Sequence, residues 1–375
     1  MASNLLADLN IPERILLGPG PSMMSPRVLR TMASPLIGHL DPEFLKIMDD
    51  EQELLRHVFQ TRNMMTLTIP GTGSAGMEAA LCNFIEPGDA ILVAVKGFFG
   101  ERMCEMAKRY GAVVDRLDRP WGKVFDPEQI EAALKSKNYK LLALVHAETS
   151  TGALQNGIPW IAEAAHRHGT LLVLDTVTSL GGIPVEIDNW GVDIAYSGTQ
   201  KCLSCPPGLA PITVGEAALE VLRHRKTPVA NWYLDLKGLE KYWLAPHSYH
   251  HTAPCSLHFA LREGLRMVLE EGLQERFSRH RINAEYLWEG LETLDLPLLV
   301  PIDYRLPTLS TPQLHPSIND MGVRKHLLNE YNIEIAGGFG ELQGKVWRIG
   351  LMGFSSRKEN VVLLLAALKE ILSKP

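Results

Sequence analysis

The chain has 375 residues, 46% of them apolar and 21% charged, with a formal net charge of −6. That is enough apolar material for a large core and, at ~150 residues per domain, for two domains. The acidic balance, without any polybasic block, excludes an electrostatic footprint for nucleic acid or anionic lipid. Met1–Asp8 places no basic residue ahead of its apolar ones and does not read as a secretory signal. Weak periodicity up to Ile15 and the irregular turn Gly18-Pro-Gly-Pro21 predict an extended arm over 1–17. From Thr66 onward the pattern alternates: strand 66–69, helix 75–86, strand 90–95, helix 101–110, strand 112–117. This is βαβ winding, so a mostly parallel, doubly wound α/β sheet is expected. Asp126, Pro127 and Gln129 spell the N-cap, first helical position and capping-box partner of the next helix.

Strand 141–145, the loop His146–Gly152 and a helix near 159–168 lead to Thr170–Asp175, a continuous apolar run that reads as a buried parallel strand ending in a carboxylate. A second apolar run, opening at Asp193, ends in small polar residues and presents Lys201; strand 211–214 and a helix to about Arg225 follow. Residues 226–254 lose periodicity and become rich in Trp and Tyr, a long loop of the functional or intersubunit kind. Helical spacing resumes over 256–294 with a break at Gly272, which divides a large domain, 18–271, from a smaller α+β domain, 272–375. In the latter, 345–350 reads as a strand and Ser356–Glu359 as a capping box. The apolar run Val361–Leu368 is far short of the roughly 18 residues that span a membrane. The tail Ser373-Lys374-Pro375 ends in proline and is no peroxisomal address.

Cysteines at 82, 104, 202, 205 and 255 make no even disulfide framework, which points to a reducing cytoplasm. Cys202 and Cys205 lack the second ligand pair of a zinc site, and the adjacent His250 and His251 are expected to point apart, so no metal is expected.

Four features carry chemistry. Lys201 leaves a strand at the sheet edge where ligands bind, and an amine whose proton affinity is lowered there can attack a carbonyl. Asp175, buried at a strand end, needs a cation, a donor or a proton. Gly71-Thr72-Gly73-Ser74-Ala75-Gly76 follows a strand and opens a helix, so free amides face outward; this suits a phosphate. It also matches the dinucleotide pattern, but the second strand ends in Lys96-Gly97 where that fold needs an acid. Arg348, between Trp347 and Ile349, calls for an anionic partner, either an internal carboxylate or a ligand's.

The Gly-Thr-Gly turn, the Asp175 strand and Ser197-Gly-Thr-Gln-Lys201, in that order, resemble the class V, fold-type-I pyridoxal-phosphate aminotransferases, and within them the branch that transaminates glyoxylate. The resemblance runs from Leu17-Gly-Pro-Gly-Pro21 through Tyr249-His-His-Thr252 to Lys345–Gly350. It implies pyridoxal 5′-phosphate as cofactor and Lys201 as the Schiff-base lysine and proton shuttle, with Asp175 on the pyridine nitrogen. Thr72, Gly73, Ser74 and Gln200 would hold the phosphate, Phe99 would stack on the ring in place of a tryptophan, and Val177 would pack beneath it. Thr149 would meet the ring hydroxyl, and Arg348 the substrate α-carboxylate. Tyr249 and Thr252 would reach the phosphate in the neighbouring subunit of a homodimer. The implied reaction passes an amino group from a small amino acid, alanine or serine, to glyoxylate, with kynurenine as an alternative donor. A desulfurase of the same class would need a nucleophilic cysteine in the C-terminal third, and none follows Cys255.

Overall fold

The computed structural model describes residues 7–373. The first six residues and the last two, on which the readings of no secretory signal and no tail address largely fall, lie outside the described residues. The central sheet is built from β1 (Met65–Pro70), β2 (Ala90–Val95), β3 (Val113–Asp118), β4 (Leu141–Val145), β5 (Leu171–Asp175), β6 (Ile194–Tyr196) and β7 (Leu209–Val214). Their spatial order is β1-β7-β6-β5-β4-β2-β3. Strands β3, β2, β4, β5 and β6 pair in parallel, while β7 runs antiparallel to both β6 and β1. Two reversals leave β1 running with β6, so Pro70, Val95, Val145, Asp175 and Tyr196 all end on one edge of the sheet.

Alternation along the strands sends Ile91, Val93 and Val95 to one core and Leu92 and Ala94 to the other, each covered by helices. A third core gathers Leu17, Leu287, Leu291, Leu327, Trp347, Ile349 and Leu364. It is enclosed by helices Leu273–Thr293, Asp320–Glu330 and Lys358–Leu372 around an antiparallel sheet of β8 (Leu309–Ser310), β9 (Ala336–Gly337) and β10 (Trp347–Gly350). Gly272 separates helix Cys255–Glu271, whose Leu261, Leu265 and Val268 pack on the main sheet, from helix Leu273–Thr293 in the third core. The arm is tied down where Ile15–Leu16 pairs in parallel with Ile333–Glu334.

Several elements depart from expectation. Helices Pro26–Met32 and Pro42–Phe59 occupy a stretch where no element was placed, although Ser25-Pro26 and Asp41-Pro42 carry the signal seen at Asp126-Pro127. Asp126 and Gln129 do form their box, Gln129 Oε1 accepting from the Asp126 amide at 3.1 Å. The box expected at Ser356–Glu359 does not form: Arg357 is the N-cap, and Ser356 Oγ is engaged by Asn283 Nδ2 at 3.2 Å. The segment 226–254 contains a helix, Leu236–Trp243, whose N-cap Asp235 accepts from the Lys237 amide. Helices expected at 75–86 and 101–110 begin earlier, at Gly73 and Phe98, which puts three predicted site residues, Gly73, Ser74 and Phe99, into first turns.

Candidate active site

The loops leaving β1, β2, β4, β5 and β6 meet at the shared edge. After β6 the chain turns through Ser197–Gln200 and delivers Lys201, largely buried, with Nζ donating to the Pro19 carbonyl. Burial and the Arg348 charge lower its pKa to about 8, against the pull of Cys202 and Asp175. The turn Gly18–Pro21 lies across this side chain: a Cβ on Gly20 would come within 2.7 Å of Lys201 Cδ, so glycine is required by close approach as well as by its φ of +103°. Ser22 fastens the turn, its Oγ donating to Lys201 O at 2.7 Å and its amide to Gln200 O at 2.9 Å.

Asp175 closes β5 with both oxygens engaged: Oδ1 accepts from the Val177 amide and Oδ2 from Tyr196 Oη, each at 2.8 Å. Desolvation still pushes its carboxyl up to about 6, with the nearby Glu148 charge adding to the rise. Tyr196 escaped the sequence reading because its partner lies on the neighbouring strand, paired at Asp175↔Tyr196.

At the other end of the cleft, Thr72 is the N-cap of helix Gly73–Cys82 and its side chain makes no capping bond; the Ala75 amide donates to Thr72 O at 2.7 Å, which leaves the Gly73 and Ser74 amides to face the cleft. Gly73 packs tightly, an added Cβ falling 3.0 Å from Val177 Cγ2. Ser74 Oγ accepts from Arg102 Nη1 at 2.8 Å. That guanidinium also lies over the rings of Phe98 and Phe99, at 5.2 and 4.9 Å. Arg102 was not foreseen, though its place three residues after Phe99 on one helix was available as a signal. Gln200 Oε1 is buried without a partner.

Thr149 Oγ1 lies 2.5 Å from Thr178 Oγ1, facing the turn that holds Val177. Beside it Glu148 is fully buried, with Oε1 reached by Ser150 Oγ at 2.5 Å and by the Phe99 amide at 3.4 Å, while Oε2 has no partner. Lys96 is buried too, donates to the Ala153 carbonyl at 3.2 Å, and has its pKa lowered to about 8 by desolvation. Neither Glu148 nor Lys96 was singled out as a site residue. Arg348, on β10, is 3% exposed; Nε donates to Gly337 O at 2.8 Å and no ion pair among the described residues includes it. Desolvation lowers its pKa to about 10.

Tyr249 and Thr252 do not join this cluster within one chain: both are exposed, Tyr249 beside His39 at 5.4 Å between ring centroids. His250 and His251 do not point apart; their rings lie 5.0 Å from each other, against Trp232 and Tyr233. Cys202 and Cys205 are buried, and desolvation raises their thiols to about 11 and 12. No cluster able to hold a metal ion occurs among the described residues.

The model of the family described as aminotransferase class-V matches residues 16–352. The chain belongs to this family. It is 42% identical to the (S)-ureidoglycine–glyoxylate transaminase of Bacillus subtilis, over 97% of this chain and 92% of that protein. It is 41% identical to the alanine–glyoxylate aminotransferase of Callithrix jacchus, over 98% and 90%. The crystal structure of an alanine–glyoxylate aminotransferase from Nostoc sp. superposes with a TM-score of 0.96 at 52% identity, covering 98% of this chain and 97% of that one.

Class-V aminotransferases work with pyridoxal 5′-phosphate, and the residues present fit it. Open amides in the first helical turn, the Ser74 hydroxyl and the Arg102 cation suit a phosphate. A buried carboxylate with lone pairs to spare suits a protonated ring nitrogen. A lysine amine of lowered proton affinity suits a bound carbonyl.

Proposed function

We propose that this enzyme transfers the amino group of a small amino acid, alanine or serine, to glyoxylate, yielding glycine and a 2-oxo acid. The observation that carries the reading is Arg348, a buried guanidinium in no ion pair among the described residues, at the cleft that also holds Lys201, whose pKa it lowers. Both relatives and the Nostoc structure are named for glyoxylate. Lys201 is the residue that would hold the cofactor through its Nζ; released by the incoming substrate amine, that Nζ would take the proton from the substrate Cα and give it back as general acid. When bound, pyridoxal phosphate supplies an electron-poor ring that stabilises negative charge at that carbon. Asp175, steadied by Tyr196 and the Val177 amide, would keep a proton on the ring nitrogen. Phe99 and Val177 would flank the ring, Thr149 would meet its hydroxyl, and Thr72, Gly73, Ser74 and Gln200 would hold the phosphate. Arg348 grips the α-carboxylate of donor and acceptor alike.

The reading includes a homodimer in which the exposed Tyr249 and Thr252 complete the phosphate site of the partner. It assigns residues 18–271 to the cofactor-holding domain and 272–375 to the smaller one that carries Arg348. No helix among the described residues is long and apolar enough to cross a membrane, and five free thiols fit a reducing cytoplasm. A desulfurase reading fares poorly because all five cysteines are buried. Steady-state transamination across a panel of 2-oxo acids tests the substrate assignment, with alanine, serine, kynurenine and ureidoglycine as donors. Glyoxylate should give the highest kcat/KM, because 2-oxoglutarate needs a second cationic grip; a higher value for 2-oxoglutarate would sink the glyoxylate assignment and leave the aminotransferase standing. Arg348→Leu should raise KM for both substrates with cofactor still bound.

A further inference from the structure

A phenyl ring lies across the guanidinium of Arg348. Phe339 is 39% exposed, and its ring centroid is 3.8 Å from Arg348 Cζ. From the other side of the cleft Phe98 meets it at 5.2 Å between centroids, tilted by 41°, and Phe98 in turn packs edge-on to Phe99 at 5.7 Å. The loop that carries Phe339 is held on both flanks. The Gly338 amide donates to Val346 O at 3.0 Å, the Leu342 amide to Phe339 O at 2.9 Å, and a Cβ on Gly340 would come 3.0 Å from the Trp121 ring.

We propose that Phe339, backed by Phe98, is a specificity-determining residue: it closes one face of the Arg348 guanidinium and admits a carboxylate in the guanidinium plane only when its substituent is small or flat. The inference rests on Arg348 receiving the substrate carboxylate. A bidentate carboxylate lies in the plane of the guanidinium fork. With its centroid 3.8 Å from Cζ the ring is in van der Waals contact with the guanidinium, since carbon atoms in contact are about 3.5–4.0 Å apart, so no substituent atom fits between them on that face. Glyoxylate keeps its heavy atoms in one plane and passes beneath the ring's edge. Each added tetrahedral carbon lifts atoms toward Phe339, and one methylene against a closed wall is worth roughly 10-fold or more in discrimination. The ring also fixes the guanidinium's orientation through its π face, so the carboxylate meets a prearranged partner.

The test measures calorimetric dissociation constants of two unreactive monocarboxylates, acetate and 3-methylbutanoate, with the holoenzyme. Wild type should favour acetate by about 10-fold or more. Phe339→Leu should cut that preference by at least about 5-fold, while Phe339→Tyr, which keeps the ring face and places its hydroxyl at the exposed edge, should retain it. An unchanged preference in Phe339→Leu, with Arg348→Leu losing acetate, overturns the role of Phe339 and leaves Arg348 as the carboxylate site. Acetate bound equally well by Arg348→Leu overturns the Arg348 reading and this inference together. The high exposure of Phe339 keeps these substitutions away from the core.

Discussion

Burial acts on Lys201 and Asp175 in opposite directions, lowering the amine to about 8 and raising the carboxyl to about 6, because in each case it disfavours the charged form. The amine must be neutral to attack, so the rate at which cofactor-free enzyme captures pyridoxal phosphate should climb as pH rises through about 8. Stopped-flow absorbance would follow it, and a flat profile between pH 7 and 9 would refute the assignment. Lys201→Ala should abolish transamination with the fold intact; borohydride reduction and peptide mapping of wild type should find the pyridoxyl adduct on Lys201, and an adduct elsewhere would move the role. For Asp175 the sign is the reverse of the usual carboxylate. The folded state holds the proton more tightly than the unfolded chain, so the penalty is absent below pH 4, grows as pH rises, and is complete above about 6. In cofactor-free protein at pH 8, Asp175→Asn should therefore be more stable by roughly 3 kcal/mol, from about two pKa units at 1.36 kcal/mol each. The same variant should bind cofactor more weakly and deprotonate Cα more slowly. Urea unfolding at pH 5 and 8 measures the first effect, and equal or lower stability at pH 8 would mean that Asp175 is not held against its charge.

At the scale of elements, the helix Phe98–Arg109 sets both Phe99 and Arg102 in place, and its start is held from the loop after β4. Ser150 Oγ receives the Phe98 amide at 3.0 Å and Glu148 Oε1 the Phe99 amide at 3.4 Å. Gly97 lets that loop approach: a Cβ there would fall 2.4 Å from Glu148 Cδ and 2.6 Å from Ser150 Oγ. Its backbone is extended, so the obstacle in Gly97→Ala is the crowding alone. That substitution should cost about 2 kcal/mol of stability by overpacking and weaken cofactor binding by displacing Phe99. Thermal unfolding and a fluorescence titration with pyridoxal phosphate would register both, and a variant that binds cofactor as wild type would break the proposed link between Glu148 and the ring site.

For the whole molecule, the exposed pair Tyr249 and Thr252 makes a prediction that no single chain can satisfy. In the proposed dimer each site takes Lys201 from one subunit and Thr252 from the other. Unfolding and refolding an equal mixture of Lys201→Ala and Thr252→Ala should then restore about a quarter of wild-type activity beyond the sum of the parents, since half of the random dimers carry one intact site. Activity no higher than the parents' sum would place Thr252 in its own subunit's site or outside any site.

The placing of Asp175 and Lys201 at the sheet edge was legible in the sequence because Asp175 ends an apolar run and Lys201 follows one after the short polar turn Ser197–Gln200, and the Gly-Thr-Gly turn because glycines at a helix start mark open amides. Local patterning settled the parallel strands for the same reason: burial on both faces writes itself into consecutive residues. Tyr196 beside Asp175, Glu148 beneath the Phe99 helix, Lys96 on the Ala153 carbonyl and Phe339 over Arg348 were decided by tertiary structure alone. Each depends on which strand lies next to which, or on a loop packed from a distant part of the chain, and a side chain's solvation and charge partners are fixed by those neighbours rather than by its own sequence window.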